Sequence, residues 1–125
     1  MRRVQLGEFC KKVAEIDSRI NTVIVIKETE LEGGYSIPGQ WVPDLEILKR
    51  LLMQVQLVVG IACSNAEIYG NLSHVMLTHE IADFFFFPLE DRRVFLVSVN
   101  KPYDHNAQEL KLAERHAALK AMLHG

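Results

Sequence analysis

Apolar residues recur at three- and four-residue spacing at Val4, Leu6, Phe9, Cys10, Val13 and Ile16. That spacing places them on one side of a helix over about residues 4 to 18. Thr22-Val23-Ile24-Val25-Ile26 follows with no polar alternation, which predicts a central strand covered on both faces. Leu31 to Ile37 contains Gly33, Gly34 and Tyr35 and is too polar to be buried twice. It reads as an edge strand closing a hairpin, with the glycine pair at a turn or bulge.

Pro38-Gly39 breaks the chain, and Asp44 is placed as the cap or a first-turn carboxylate of a long helix reaching to about Ala66. Leu48, Leu51, Leu52, Val55, Val58, Val59, Ala62 and Ala66 fill a broad arc of that helix, wider than an ordinary surface helix shows. Met53, Leu57 and Ile61 form a second stripe at i, i+4 and i+8 among the polar residues of the opposite side. Gly60 lies beside that stripe and would let another backbone come close. Three large apolar residues in a row, away from the core, make an exposed ridge unless a second copy, a loop or the chain's own ends cover it, and a dimer is the favoured cover.

Leu72 to His79 mixes polar and apolar positions and fits a second edge strand. Ile81 to Phe87 sends Phe84 and Phe86 to one face and Phe85 and Phe87 to the other, so it is central. Glu90-Asp91-Arg92 turns into Val94 to Val99, again apolar on both faces. Asn106 is a candidate cap for a last helix to about Leu123, with Leu110, Ala113, Ala117 and Ala121 as its narrow apolar stripe.

The order helix, strand, strand, helix, three strands, helix calls for an α+β fold. Three two-faced strands and two half-polar ones make a five-stranded, mostly antiparallel sheet with helices on both faces, a three-layer α/β/α sandwich. Hairpins joining strand one to two, three to four and four to five, with the polar strands outside, give the spatial order 2-1-5-4-3. The 125 residues are enough for a single domain spanning 1–125 with its own core.

Fourteen Lys and Arg against sixteen Asp and Glu leave a net charge of −2, so nucleic acid is not an expected partner. The longest apolar stretch, Leu51 to Cys63, is interrupted by Gln54, Gln56 and Gly60 and is far short of the roughly 20 residues that span a bilayer. Met1-Arg2-Arg3 is basic but no apolar run of a signal peptide follows, and Cys10 and Cys63 lie in apolar helical stripes as reduced, buried thiols. A cytoplasmic protein is expected.

The element order and strand order resemble the roadblock and dynein light chain family of the wider profilin-like group, over nearly the whole chain. Short archaeal proteins of similar layout are similar too, through Glu8-Phe9-Cys10, Ile16-Asp17, and Glu80 to Pro88 ahead of Val94-Phe95-Leu96-Val97-Ser98. The roadblock resemblance implies a protein that is not an enzyme. It implies dimerisation through the second helix and third strand, two sheets joining into one, and service as a platform or regulator for small GTPases and motors. By that implication the interface would comprise Met53, Leu57, Gly60, Ile61, Val75 and Leu77.

Sequence signals for chemistry are sparse. His74 and His79, five apart, fall on opposite faces of an extended strand and cannot share a metal without a kink. His105 reads as a loop residue, His116 as partly buried beside Leu112, Leu119 and Leu123 or as part of a second interface, and His124 is terminal. No Gly-x-Ser-x-Gly, Cys-x-x-Cys or phosphate-binding glycine loop occurs, so no catalytic residue, cofactor or metal is assigned. Trp41 is a candidate partner anchor or a cover for the end of the core. Three readings stay open: a homodimeric adaptor, a domain sensing a small molecule held between sheet and helix, and a small enzyme with an active residue near His74, His79 or His105. The paired phenylalanines are expected to fill the space a ligand would need.

Overall fold

The computed structural model describes residues 2–39 and 44–124. In chain order these form α1 (Arg2–Ala14), β1 (Ile20–Lys27), β2 (Glu30–Ser36), α2 (Leu45–Cys63), a short α3 (Ala66–Tyr69), β3 (Val75–Thr78), β4 (Ala82–Pro88), β5 (Arg93–Asn100) and α4 (His105–His124). The five strands make one sheet in the order β2-β1-β5-β4-β3, with every neighbouring pair antiparallel.

Side chains alternate along each strand, and both faces of the centre are apolar. Val23, Val25, Phe85, Phe87, Phe95 and Val97 go to the face covered by Leu6, Cys10 and Val13 of α1 and Leu112 and Leu119 of α4. Ile26, Phe86, Val94 and Leu96 go to the opposite face, under Leu52, Val55 and Val59 of α2. The result is the three-layer sandwich that the pattern predicts. Asp44 caps α2, its carboxylate accepting from the Ile47 amide at 3.0 Å.

Gly33 and Gly34 sit at a bulge: Val25 pairs with Gly33 and Ile26 with Leu31, so Glu32 is the extra residue. A Cβ at Gly33 would lie 2.6 Å from the Cβ of Leu6, which is why α1 can rest directly on this strand. Glu32 reaches Arg93, with Nε 2.6 Å from Oε1, and both side chains are largely buried. The hydrogen bond from Arg93 to Glu32 raises the guanidinium pKa above its ordinary value despite burial.

Several boundaries and faces differ from the sequence reading. The first helix ends at Ala14, because Ile16 turns back to the Val13 carbonyl and Asp17 accepts from the Arg19 amide. Val4 faces solvent. The long helix stops at Cys63, where the Ser64 hydroxyl donates to the Ile61 carbonyl at 2.6 Å, and α3 follows as a separate turn. Asp104, not Asn106, caps α4, accepting from the Ala107 amide at 3.2 Å, so His105 opens the helix instead of preceding it.

The buried face of α4 is Gln108, Leu112, His116 and Leu119, whereas Leu110, Ala113, Ala117 and Ala121 look outward. Two polar members disguise the true stripe. Nε2 of His116 lies 2.8 Å from the Pro88 carbonyl, so the neutral imidazole donates there, and its ring stacks at a tilt 5.0 Å from Phe87. Burial, with Lys120 and His74 adding to it, lowers the His116 pKa.

Two stability predictions follow from these buried groups. Glu32→Ala strands a buried guanidinium and should cost about 2–3 kcal/mol, read as a shifted urea midpoint. For His116, the unfolded imidazole takes up its proton near 6.5 and the folded one only at lower pH. The unfolded state therefore binds more protons in that interval, and stability falls as pH drops below about 6.5. His116→Gln should flatten that decline relative to wild type across a series of urea midpoints from about pH 7 to 5.

Candidate functional site

The ridge on α2 is exposed. Met53, Leu57 and Ile61 show 55%, 63% and 68% of their surface to solvent, although their neighbours Leu52, Val55 and Val59 are buried. Helical geometry accounts for both: a rotation of about 100° per residue separates positions 52, 55 and 59 from 53, 57 and 61. Gly60 lies beside the ridge, and a Cβ built there would meet nothing within 4 Å.

β3 ends the sheet, bonded to β4 on one side only. Val75 and Leu77 pair with Phe86 and Phe84 and so share their face, the α2 side. The structure therefore brings all six residues of the expected interface to one layer: four on the outer side of α2, two on the adjoining edge strand. Trp41 lies outside the described residues.

A polar clip holds β3 in place. The Tyr103 hydroxyl donates to Asp83, Lys101 Nζ lies 3.4 Å from the other Asp83 oxygen, and Lys101 also donates to Thr78 at 2.8 Å. Burial would raise the Asp83 pKa, but hydrogen bonds from Thr78, Tyr103 and Lys101 together hold it below the ordinary carboxylate value. The Tyr103 hydroxyl is pushed up by burial and by Asp83. The edge strand is thus tied to the segment leading into α4.

The histidines divide between the layers. The His74 ring packs 5.3 Å from Phe87, on the α4 side, and His79 packs 5.4 Å from Phe84, on the α2 side. His105 Nε2 lies 3.3 Å from Glu109, and His74 Nε2 reaches the same carboxylate at 4.0 Å. Among the described residues no group of three or more His, Cys, Asp or Glu is arranged to hold a metal.

Between α2 and the sheet lies a cleft of about 670 Å³. This corrects the expectation that the phenylalanines fill the space. Phe85 and Phe87 are fully buried on the other face, while Phe84 and Phe86 floor the cleft without closing it.

This architecture recurs in solved structures. A Roadblock/LC7 domain from Streptomyces avermitilis superimposes with a TM-score of 0.75 at 8% identity, over 96% of this chain and 98% of that one. MglB of Myxococcus xanthus gives 0.78 at 10% identity, over 98% and 90%. A structure of MglB in a tetrameric arrangement gives 0.78 at 10% identity, over 96% and 88%. The chain has the Roadblock/LC7 fold. No protein-family model matches the sequence, and no curated protein matches it.

Within the roadblock fold of this chain, three features of the surface escape the sequence pattern. α3 carries Ile68 and Tyr69, 73% and 83% exposed, just beyond the end of the α2 ridge. The short run Ala66-Glu67-Ile68-Tyr69 has too few residues to show a period. The His74, Glu109 and His105 grouping joins segments about thirty residues apart and leaves no local signal. Cys63 is exposed, contrary to the buried thiol expected. It continues the buried stripe by one turn, but there the helix borders an open depression of about 490 Å³ edged by Leu72, Leu89 and Leu123.

Cys10 is enclosed under α1, and burial pushes its thiol up to about 12. Iodoacetamide at about pH 8 should alkylate one thiol per folded chain, Cys63, and reach Cys10 only in denaturant. Mass spectrometry of the digested protein reads the two sites separately.

Proposed function

We propose that this chain is a non-enzymatic, homodimeric adaptor of the cytoplasm that presents a protein-binding surface, with a small GTPase as the partner class. The observation that carries the reading is the ridge of Met53, Leu57 and Ile61 beside the unpaired edge of β3. A two-fold axis past these elements sets ridge against ridge and edge strand against edge strand. Ten strands then run continuously, and the open N–H and C=O groups of the edge are paired. Gly60 allows the helices to approach closely. The tetrameric arrangement described for an MglB of the same fold supports self-association, and the roadblock likeness supports the regulatory role and the GTPase class.

Two polar clusters among the described residues bear on the non-enzymatic reading. The polar clusters at Asp83 and Glu109 are engaged in internal hydrogen bonds and ion pairs. No helix among the described residues is long and apolar enough to cross a membrane.

Light scattering should give a mass near twice 14.3 kDa that holds on dilution. Leu57→Glu places a charge in the proposed interface and should weaken association by more than about a hundredfold, giving monomers at micromolar concentration. The variant should keep its far-ultraviolet circular dichroism and a cooperative melt. A Leu57→Glu protein that remains dimeric would overturn the interface.

A further inference from the structure

The cleft between α2 and the sheet has a composition that selects its occupant. Pairing across all five strands lines up Leu77, Phe84, Ser98, Thr22 and Ser36 in one transverse row. The row passes from two large apolar side chains to three consecutive hydroxyls, and all five line the cleft. The next row, from Val75 through Phe86, Leu96 and Ile24 to Gly34, carries no polar side chain. Overhead, Leu48 and Leu51 of α2 supply an apolar roof.

None of the described lining residues is Lys, Arg, Asp or Glu. A charged guest would leave its hydration shell without gaining an ion pair, and a pure hydrocarbon would strip water from the hydroxyls without replacing their bonds. Thr22 and Ser36 share one long contact of 3.3 Å, so each keeps hydrogen-bonding capacity to offer. A peptide segment fits poorly, because each residue brings a backbone N–H and C=O that an almost wholly apolar roof cannot satisfy. The volume falls within the roughly 300–1,000 Å³ typical of small-molecule sites.

We propose that this cleft binds an uncharged, mainly apolar small molecule with a single short hydrogen-bonding end, that end seated on Ser98, Thr22 and Ser36. The site is separate from the ridge of Met53, Leu57 and Ile61, which lies on the outer side of the same helix. Leu77 alone belongs to both surfaces.

The test uses N-phenyl-1-naphthylamine, an uncharged apolar fluorophore, titrated into the full chain at about pH 8, followed by competition with 1-decanol or decanoate. Wild type should take up one fluorophore per chain, saturably. Decanol should displace it at least about tenfold better than decanoate, since the described lining offers the carboxylate no Lys or Arg and only the imidazole of His79. Leu51→Trp and Leu48→Trp, which each place a large ring under the roof, should reduce uptake about tenfold or more while the protein still melts cooperatively. Leu57→Glu should leave uptake unchanged, which separates this site from the proposed dimer interface. The proposal is overturned by an absence of saturable uptake in wild type, by decanoate competing as well as decanol, or by loss of uptake in Leu57→Glu. Full uptake by both tryptophan variants would overturn it as well.

Discussion

The structure depends on a sheet whose centre is apolar on both faces. Large side chains alternate to opposite sides of β4 and β5, so neither face can be left to water. On one side Phe85, Phe87 and Phe95 form a continuous aromatic layer, with Phe87 and Phe95 centroids 5.6 Å apart and Phe9 of α1 closing on Phe95 at 5.9 Å. Two helices are needed to cover that layer, and α1 and α4 provide them. The other side has one helix. A helix is about 10 Å across, whereas five strands span roughly 20 Å, so α2 alone cannot cover the face from edge to edge. The cleft between α2 and the sheet, lined by residues of all five strands, and the unpaired edge of β3 go with this mismatch. Both candidate surfaces therefore come from one geometric fact.

The sequence made most of the sheet legible because burial on two faces writes itself as unbroken apolar runs. Residues 22–26, 81–87 and 94–99 could be assigned as central, and two polar strands had to be outside, which leaves one arrangement of hairpins. The α2 ridge was readable for a related reason: a second apolar stripe at helical spacing stands out among the polar residues around it. Helix α4 was misread because its buried face includes Gln108 and His116, while its alanines repeat at helical spacing on the outside. Alanine is apolar enough to mimic a core stripe and small enough to cost nothing when exposed.

What stayed hidden depends on register and on contacts between distant segments. The row of hydroxyls across the sheet exists only once Thr22 is paired with Ser98 on one side and Ser36 on the other. The Glu32 to Arg93 bridge likewise depends on the bulge that makes Glu32 the extra residue. The clip around Asp83 joins β3, β4 and the entry to α4, three segments whose side chains look like ordinary surface residues when read one at a time. Polar residues carry no periodic signature, so their partnerships appear only in three dimensions.

The strand order has a consequence for how the chain reaches this state. β1 is flanked by β2, its neighbour in sequence, and by β5, which begins at Arg93. The hairpin of β1 and β2 can form early, but the long edge of β1, with Val23, Val25 and Ile26, has no strand beside it until most of the chain has been made. At a synthesis rate of roughly 5–20 residues per second, that interval lasts several seconds. During it the chain presents an unpaired β-branched strand, the form most prone to pairing with another copy. The β1–β5 ladder closes a loop of long sequence separation, the type of contact that slows folding. The same central pairing that makes the finished sheet two-faced thus sets the period in which the nascent chain is most exposed to misassembly.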